Sequence, residues 1–140
     1  MKSLSVKLGI ILFGLLVVFH YAEVWGADWR WYASTPNSDA LFYDAGGITR
    51  QPDGIVRVSI KRVLSDKSRA DSTAMYGKMH KDVDYQISLS ELDCRNKMAR
   101  FLSTKLYSKE GKLISSPGGI DWDYIGPESA AEALFDKLCK

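Results

Sequence analysis

The stretch 55-IVRVSIKRVL-64 alternates apolar and polar side chains more regularly than any other part of the chain. Its apolar positions are Val56, Val58 and Ile60, and the polar positions between them are Arg57, Ser59 and Lys61. Successive side chains of a strand point to opposite faces, so this stretch has one apolar face and one polar face. We therefore predict a half-buried antiparallel strand with its polar face in water.

Further strands are predicted on both sides of this stretch. On the C-terminal side, residues 83–94 and 98–108 form two long segments joined by a short polar turn. Residues 113–115 pair back after a tight turn in which Gly111 can take the left-handed conformation. On the N-terminal side, residues 28–34 and 41–43 have strand-like composition. Together these segments predict an antiparallel sheet.

The last predicted element is a helix that follows Pro127 and ends at about Leu138. Ser129 and Glu132 fit a capping box at its start. Apolar residues recur in it at spacings of three and four, which places them on one face. They are Ala131, Leu134, Phe135, Leu138 and Cys139. The predicted fold class is α+β, an antiparallel β-sheet with a C-terminal α-helix packed on it and one disulfide.

Residues 1–26 predict a secretory signal peptide. Lys2 and Lys7 precede an apolar run over residues 8–19, and Val24 and Gly26 stand at positions −3 and −1 of a cleavage site. The run has 12 residues, whereas a helix that spans a bilayer needs roughly 20. This length disfavours the alternative, a permanent membrane anchor. We expect one exported domain over residues 27–140, located in the periplasm, at the cell surface or outside the cell.

Cys94 and Cys139 are the only cysteines. In an exported protein two lone cysteines most often pair, so we predict a disulfide between the C-terminal helix and the strand over residues 83–94. A redox or metal pair is the alternative, but the chain has no C-x-x-C motif and His80 is the only histidine after residue 26.

The net charge of the domain is close to zero, so the domain as a whole has no strong positive electrostatic potential. After residue 26 the chain has 17 basic and 16 acidic residues. Nucleic-acid-binding domains usually carry a strong positive excess, so no nucleic-acid partner is expected.

Candidate catalytic residues are few. His80 could act as a general base, but no nucleophile lies near it in sequence, and a solvated histidine is the alternative. Asp121 and Asp123 flank Trp122 and could contribute to a metal site, although two carboxylates are too few for calcium. The chain lacks a P-loop, a dinucleotide fingerprint and an H-E-x-x-H motif. We expect no enzyme activity and no cofactor, with a small metal-assisted hydrolase around these residues as a third hypothesis.

A basic sheet face is the first binding candidate. Its side chains fall on the strand over residues 55–64 and on the hairpin after it: Arg57, Lys61, Arg95, Lys97, Arg100 and Lys105. Such a face could attract sulfated glycans or acidic protein segments. The alternative is a solvated face that discourages aggregation.

Residues 65–81 are polar, lack a period of two and predict the longest loop of the domain. Tyr76, together with Met75 and Met79, is the second binding candidate in this segment. The alternative is a lid over the core.

The chain resembles the surface-adhesin protein E family of small secreted bacterial domains over most of residues 28–140. The resemblance rests on Trp29, the strands 55-IVRVSIKR-62 and 87-ISLSELDC-94, the turn over residues 107–111, and residues 122–127 leading to Leu138 and Cys139. It implies an antiparallel sheet tied to a C-terminal helix by a disulfide, and no enzyme activity.

The family takes its name from a member that binds host extracellular-matrix and serum proteins. We therefore hypothesise a secreted, non-enzymatic bacterial cell-envelope protein that acts by protein binding, with adhesion to extracellular proteins as one form. The alternative is an accessory subunit of a periplasmic or outer-surface assembly, joined through an exposed edge strand. No cysteine closely follows the apolar run, so a lipid-tethered N-terminus is not indicated.

Overall fold

A computed structural model describes residues 27–140. The signal peptide predicted over residues 1–26 lies outside the described residues and stays a prediction. The strands are β1 (Trp29–Ser34), β2 (Ala40–Asp44), β3 (Thr49–Arg50), β4 (Ile55–Val63), β5 (Val83–Asp93), β6 (Met98–Ser108), β7 (Leu113–Ser115) and β8 (Ile120–Tyr124). The helices are α1 (Asp66–Tyr76) and α2 (Ala130–Leu138), and a 3-10 segment (Lys78–Asp82) links α1 to β5.

All eight strands belong to one antiparallel sheet in the order β1-β2-β4-β5-β6-β7. The short strand β3 pairs with β4 beyond the end of β2, and β8 pairs with the start of β6. β4 and β5 pair over their whole common length, from Ile55 opposite Asp93 to Val63 opposite Tyr85. The alternating stretch in β4 thus lies at the centre of the sheet, which confirms the predicted fold class.

The hydrophobic core lies between one side of the sheet and α2. Val56, Val58 and Ile60 of β4 are buried with Leu92 of β5. Leu134, Phe135 and Leu138 form the buried stripe of α2 that covers them. We call this side of the sheet the core face.

A disulfide joins Cys94 to Cys139, as predicted, with the two Cα atoms 5.4 Å apart. Cys94 directly follows β5, and Cys139 directly follows α2. The bond therefore fixes the end of α2 on the core face. At the same end, Arg50 donates a 2.6 Å hydrogen bond from Nη1 to the backbone carbonyl of Leu138.

The prediction of a loop over residues 65–81 is wrong, because this segment forms α1 and the 3-10 segment. Ser65 is the N-cap of α1, and its hydroxyl accepts a 3.1 Å hydrogen bond from the Ser68 amide. Within α1 only Ser68 is buried. The helix therefore lacks the apolar stripe by which helices are usually found in a sequence.

Asp39 holds the start of α1 against the sheet. Its side chain is fully buried and accepts hydrogen bonds from Arg62 Nε at 2.7 Å, the Ser65 amide at 2.7 Å and Ser68 Oγ at 2.9 Å. Arg62 lies on the core face, since it shares the alternation of Val58 and Ile60. Both helices consequently lie on the same side of the sheet. Neither helix of residues 27–140 is long and apolar enough to cross a bilayer.

Candidate functional site

The side of the sheet opposite both helices is covered by no helix of residues 27–140, and we call it the open face. Strand pairing places side chains from all eight strands on it. Its residues include Trp29, Trp31, Phe42, Asp44, Arg57, Ser59, Lys61, Tyr85, Ile87, Leu89, Glu91, Asp93, Arg100, Ser103, Lys105, Tyr107, Trp122 and Tyr124. Aromatic and basic side chains are prominent on this face, and aromatic residues and arginine are enriched in binding surfaces.

Four predicted basic residues lie together on the open face, and we call them the basic quartet: Arg57, Lys61, Arg100 and Lys105. Strand pairing sets their arrangement. Arg57 and Arg100 lie on either side of Glu91, while Lys61 and Lys105 lie on either side of Ile87. Two strand spacings separate each pair by about 10 Å, and four residues along a strand separate the pairs by about 13 Å.

A β-bulge in β6 is required for this arrangement. Arg100 and Lys105 are five positions apart, so strict alternation would place them on opposite faces. The register shifts at Leu89 and Ser90, which pair with Ser103 and Phe101 and leave Leu102 as the extra residue. Because Leu102 is an extra residue, the alternation shifts by one position and Lys105 lies on the same face of the sheet as Arg100.

Glu91 organises the two arginines of the quartet. It is 2% exposed although it lies on the open face, because the side chains around it exclude water. Arg57 donates to Oε2 at 3.0 Å from Nη2, and Arg100 donates to Oε1 at 2.6 Å. Burial alone raises the pKa of Glu91, but hydrogen bonds from Arg100 and Arg57 outweigh it and hold the pKa below its ordinary value. The three residues together keep one positive charge.

Aromatic rings support the basic side chains. The Arg100 guanidinium lies 4.5 Å from the ring centre of Trp122. Lys61 Nζ lies 4.6 Å from the ring centre of Tyr85 and 5.9 Å from that of Trp29. Such contacts orient a cation while leaving its charge in place.

The outer aromatic residues of the open face remain accessible. Trp31 is 58% exposed at the end of the face formed by β1. Tyr85 and Tyr107 stack with ring centres 5.1 Å apart. Neither Lys61 nor Lys105 forms an ion pair within residues 27–140. The open face therefore offers uncompensated positive charge beside apolar ring surface.

The other predicted binding residues lie elsewhere. Lys97 pairs with Glu132 of α2 at 2.8 Å, and Arg95 donates to the backbone carbonyl of Pro52. Tyr76 is on α1, and its ring centre lies 5.1 Å from that of His80. Both of these residues line a groove of about 660 Å³ on the core-face side, between α1 and the segment over residues 115–120.

The residues of the hydrolase hypothesis do not form a metal cluster. The carboxylates of Asp121 and Asp123 accept hydrogen bonds from the backbone amides of Trp122 and Tyr124 at 2.8 and 2.9 Å. No group of three or more His, Cys, Asp or Glu side chains within residues 27–140 is placed to hold a metal ion.

Sequence reasoning missed three important residues of the open face: Glu91, Trp31 and Trp122. Glu91 shares the period of two with Tyr85 and Leu89, so alternation alone could have placed it there. Trp122 meets Arg100 only because β8 pairs with β6. No local pattern in the sequence indicates that pairing.

Solved structures of protein E share this fold. The structure of Haemophilus influenzae protein E has a TM-score of 0.54 and 14% identity, covering 81% of this chain and 87% of that chain. Its selenomethionine form has a TM-score of 0.54 and 16% identity, covering 81% and 89%. Protein E from non-typeable Haemophilus influenzae has a TM-score of 0.51 and 14% identity, covering 80% and 78%. The chain matches no curated protein.

The family model of Surface-adhesin protein E matches residues 29–140. This range contains every strand and both helices of the described chain, as well as the two bonded cysteines. The chain therefore belongs to the Surface-adhesin protein E family.

Proposed function

We propose that this protein is an exported, non-enzymatic adhesin that binds extracellular proteins without covalent chemistry, through the open face. Family membership supports an adhesive role. The observation that carries the proposal is the open face itself, a sheet surface with aromatic and basic side chains that neither helix covers. The charged side chains of such a surface keep it hydrated in the free protein, and burial of its aromatic rings against a partner favours binding.

Two features of the chain support export from the cytoplasm. The predicted signal peptide over residues 1–26 would export the domain. The disulfide between Cys94 and Cys139 is a bond that persists in oxidising compartments. We accordingly place the protein in the periplasm, at the cell surface or outside the cell.

Charge reversal of the two lysines of the quartet tests this function. The variant Lys61→Glu/Lys105→Glu should bind purified extracellular-matrix proteins at least about tenfold more weakly. The new glutamates would repel the negative groups of the partner that the lysines attract in the wild type. The arginines are left unchanged, since their removal would expose the buried charge of Glu91.

The matched control is Lys67→Glu/Lys137→Glu, which makes the same change in net charge on exposed positions of the two helices. Binding is measured by surface plasmon resonance on a panel of matrix proteins. Full binding by the control and weak binding by the first variant support the proposal. Equal binding by both variants would remove the open face as the binding surface.

The accessory-subunit alternative rests on a different feature, the outer edge of β1. Within residues 27–140, β1 pairs with β2 alone, so its other edge is free to receive a strand. Size-exclusion chromatography of envelope material from the native host tests this alternative. Stable co-elution with envelope proteins of the same cell would favour it over adhesion.

A further inference from the structure

We propose that the open face binds sulfated polysaccharide chains, and that such a chain is the group it contacts on an extracellular partner. The inference rests on the proposed function, because it names the ligand chemistry of the same surface. It follows from the spacing of the basic quartet, the position of its members outside the two cavities, and the aromatic rings beside it.

The quartet presents net positive charge to one ligand at three places: the arginine pair with Glu91, Lys61 and Lys105. The backbone positions of the arginine pair and of the lysine pair form opposite sides of a rectangle of about 10 by 13 Å. Arg57 and Arg100 bind Glu91 through Nε and Nη2, and Nη1 of neither arginine has a partner within residues 27–140. A ligand with several fixed anionic groups can therefore contact more than two cations at once.

The surface between these cations is formed by the middle of three paired strands. Ser59, Leu89 and Ser103 face one another across β4, β5 and β6 in the middle of the rectangle. Two cavities, of about 550 and 660 Å³, are lined by no member of the quartet. Protein partners obtain much of their affinity from side chains buried in pockets. A chain of sugar rings with charged substituents needs no pocket, which favours a polysaccharide over an acidic protein segment.

Aromatic rings next to the quartet suit sugar rings. The C–H groups on one side of a pyranose ring are weakly positive and pack on the negative face of an aromatic ring. Trp31 is 58% exposed and pairs across β1 and β2 with Phe42, which in turn pairs with Lys61. A sugar ring on Trp31 would lie about 10 Å from Lys61 along this row of paired residues, and a longer chain would continue toward Lys105.

Heparin is the probe for this inference. The variant Lys61→Gln/Lys105→Gln should bind heparin more weakly than the wild type. The slope of log Kd against log salt should fall by about 1.4, because each of the two lost lysine contacts removes about 0.7 of a counterion from those released on binding. The control Lys67→Gln/Lys137→Gln should keep the wild-type slope. Equal slopes for the two variants would overturn the proposal, provided that both melt as the wild type does.

Two further ligands and one variant separate sulfate recognition from general attraction to anions. Chemically desulfated heparin should not bind, and poly-glutamate should bind more weakly than heparin at equal salt. Trp31→Ala should weaken heparin binding about threefold without changing the salt slope, because it removes a ring and no charge. Tighter binding of poly-glutamate would identify an acidic protein segment as the ligand instead.

A proteoglycan bound before and after enzymatic removal of its sulfated chains separates this inference from the proposed function. Loss of binding on removal supports both. Retained binding that still depends on Lys61 and Lys105 would overturn the polysaccharide inference and leave the protein-binding function standing. Absence of binding to any extracellular protein, with heparin still bound, would contradict the proposed function alone.

Discussion

The carboxylate of Asp39 connects three parts of the chain at one buried point. It is fully buried and receives hydrogen bonds from the end of β4, from the N-cap of α1 and from the first turn of α1. Burial by itself raises the pKa of Asp39, but the hydrogen bonds from Ser65, Ser68 and Arg62 together hold the pKa below its ordinary value. The ionised form is therefore the one that stabilises the fold.

Replacing this residue tests its role. Asp39→Asn should lower the free energy of unfolding by about 3 kcal/mol, because Arg62 loses the charge that compensates its own in a part-buried site. Asp66→Asn is the control, since Asp66 is exposed in the first turn of α1, and a change within about 0.5 kcal/mol is expected there. Urea denaturation measures both, and equal losses would contradict this role for Asp39.

The stability difference between the wild type and Asp39→Asn should depend on pH. The folded pKa of Asp39 lies below the ordinary value of 3.8. Its stabilising effect is therefore fully present above that ordinary value and is lost as the pH falls through the lower, folded value. The stability difference between wild type and Asp39→Asn should be constant from about pH 5 to pH 8. It should narrow below pH 3.8; a difference that widens in acid would contradict the assignment.

The two helices show which elements a sequence can predict. α2 has both a capping residue, Ser129, and a stripe with Leu134 and Leu138 buried, so periodicity finds it. α1 has a capping residue but buries only Ser68, so its helical state depends on the contact of its first turn with Asp39. Tertiary contacts of that kind leave no periodic signal in the sequence.

The weak packing of α1 predicts uneven hydrogen exchange. Amides of residues 66–76 should exchange faster than those of α2, because few apolar contacts oppose local opening. Asp39→Asn should accelerate exchange in α1 by local opening, beyond the smaller acceleration that the loss of global stability causes in α2. Hydrogen–deuterium exchange with mass spectrometry measures both helices in one sample. Equal protection of α1 and α2 would contradict this account of α1.

The disulfide connects α2 to the end of β5. Cys94 and Cys139 are 45 positions apart, and the chain-entropy model gives about 4 kcal/mol for closing such a loop in the unfolded state. The variant Cys94→Ser/Cys139→Ser should lose that amount in urea denaturation. Reduced wild type should unfold at the same urea concentration as the variant. Unchanged stability on reduction would show that the bond does not stabilise the fold.

The β-bulge in β6 marks the limit of prediction for the site. Alternation placed Arg57 and Lys61 on one face from the sequence alone, because β4 is regular. Arg100 and Lys105 share that face only because Leu102 is an extra residue in β6. The position of a bulge depends on the pairing of two strands, so neither strand indicates it separately.

The molecule as a whole is a sheet with two unlike sides. One side carries the core, the disulfide and both helices of residues 27–140. The other side carries the basic quartet and the aromatic rings that contact it, among them Tyr85 and Trp122. Membership of the Surface-adhesin protein E family relates this architecture to adhesion. The sequence could predict the sheet, α2 and the disulfide, but not that both helices would leave the same side uncovered. That outcome depends on how α1 is anchored by Asp39.

Hydroxyl-radical footprinting of the full domain, alone and with a bound extracellular-matrix protein, shows which side of the sheet the partner covers. Binding through the open face should protect Trp31, Tyr107 and Trp122. Oxidation of Met75 and Tyr76, which are 72% and 65% exposed on α1, should stay unchanged. Protection of these α1 residues, with the open face still oxidised at its free rate, would contradict binding through the open face and place the binding surface at the groove beside α1.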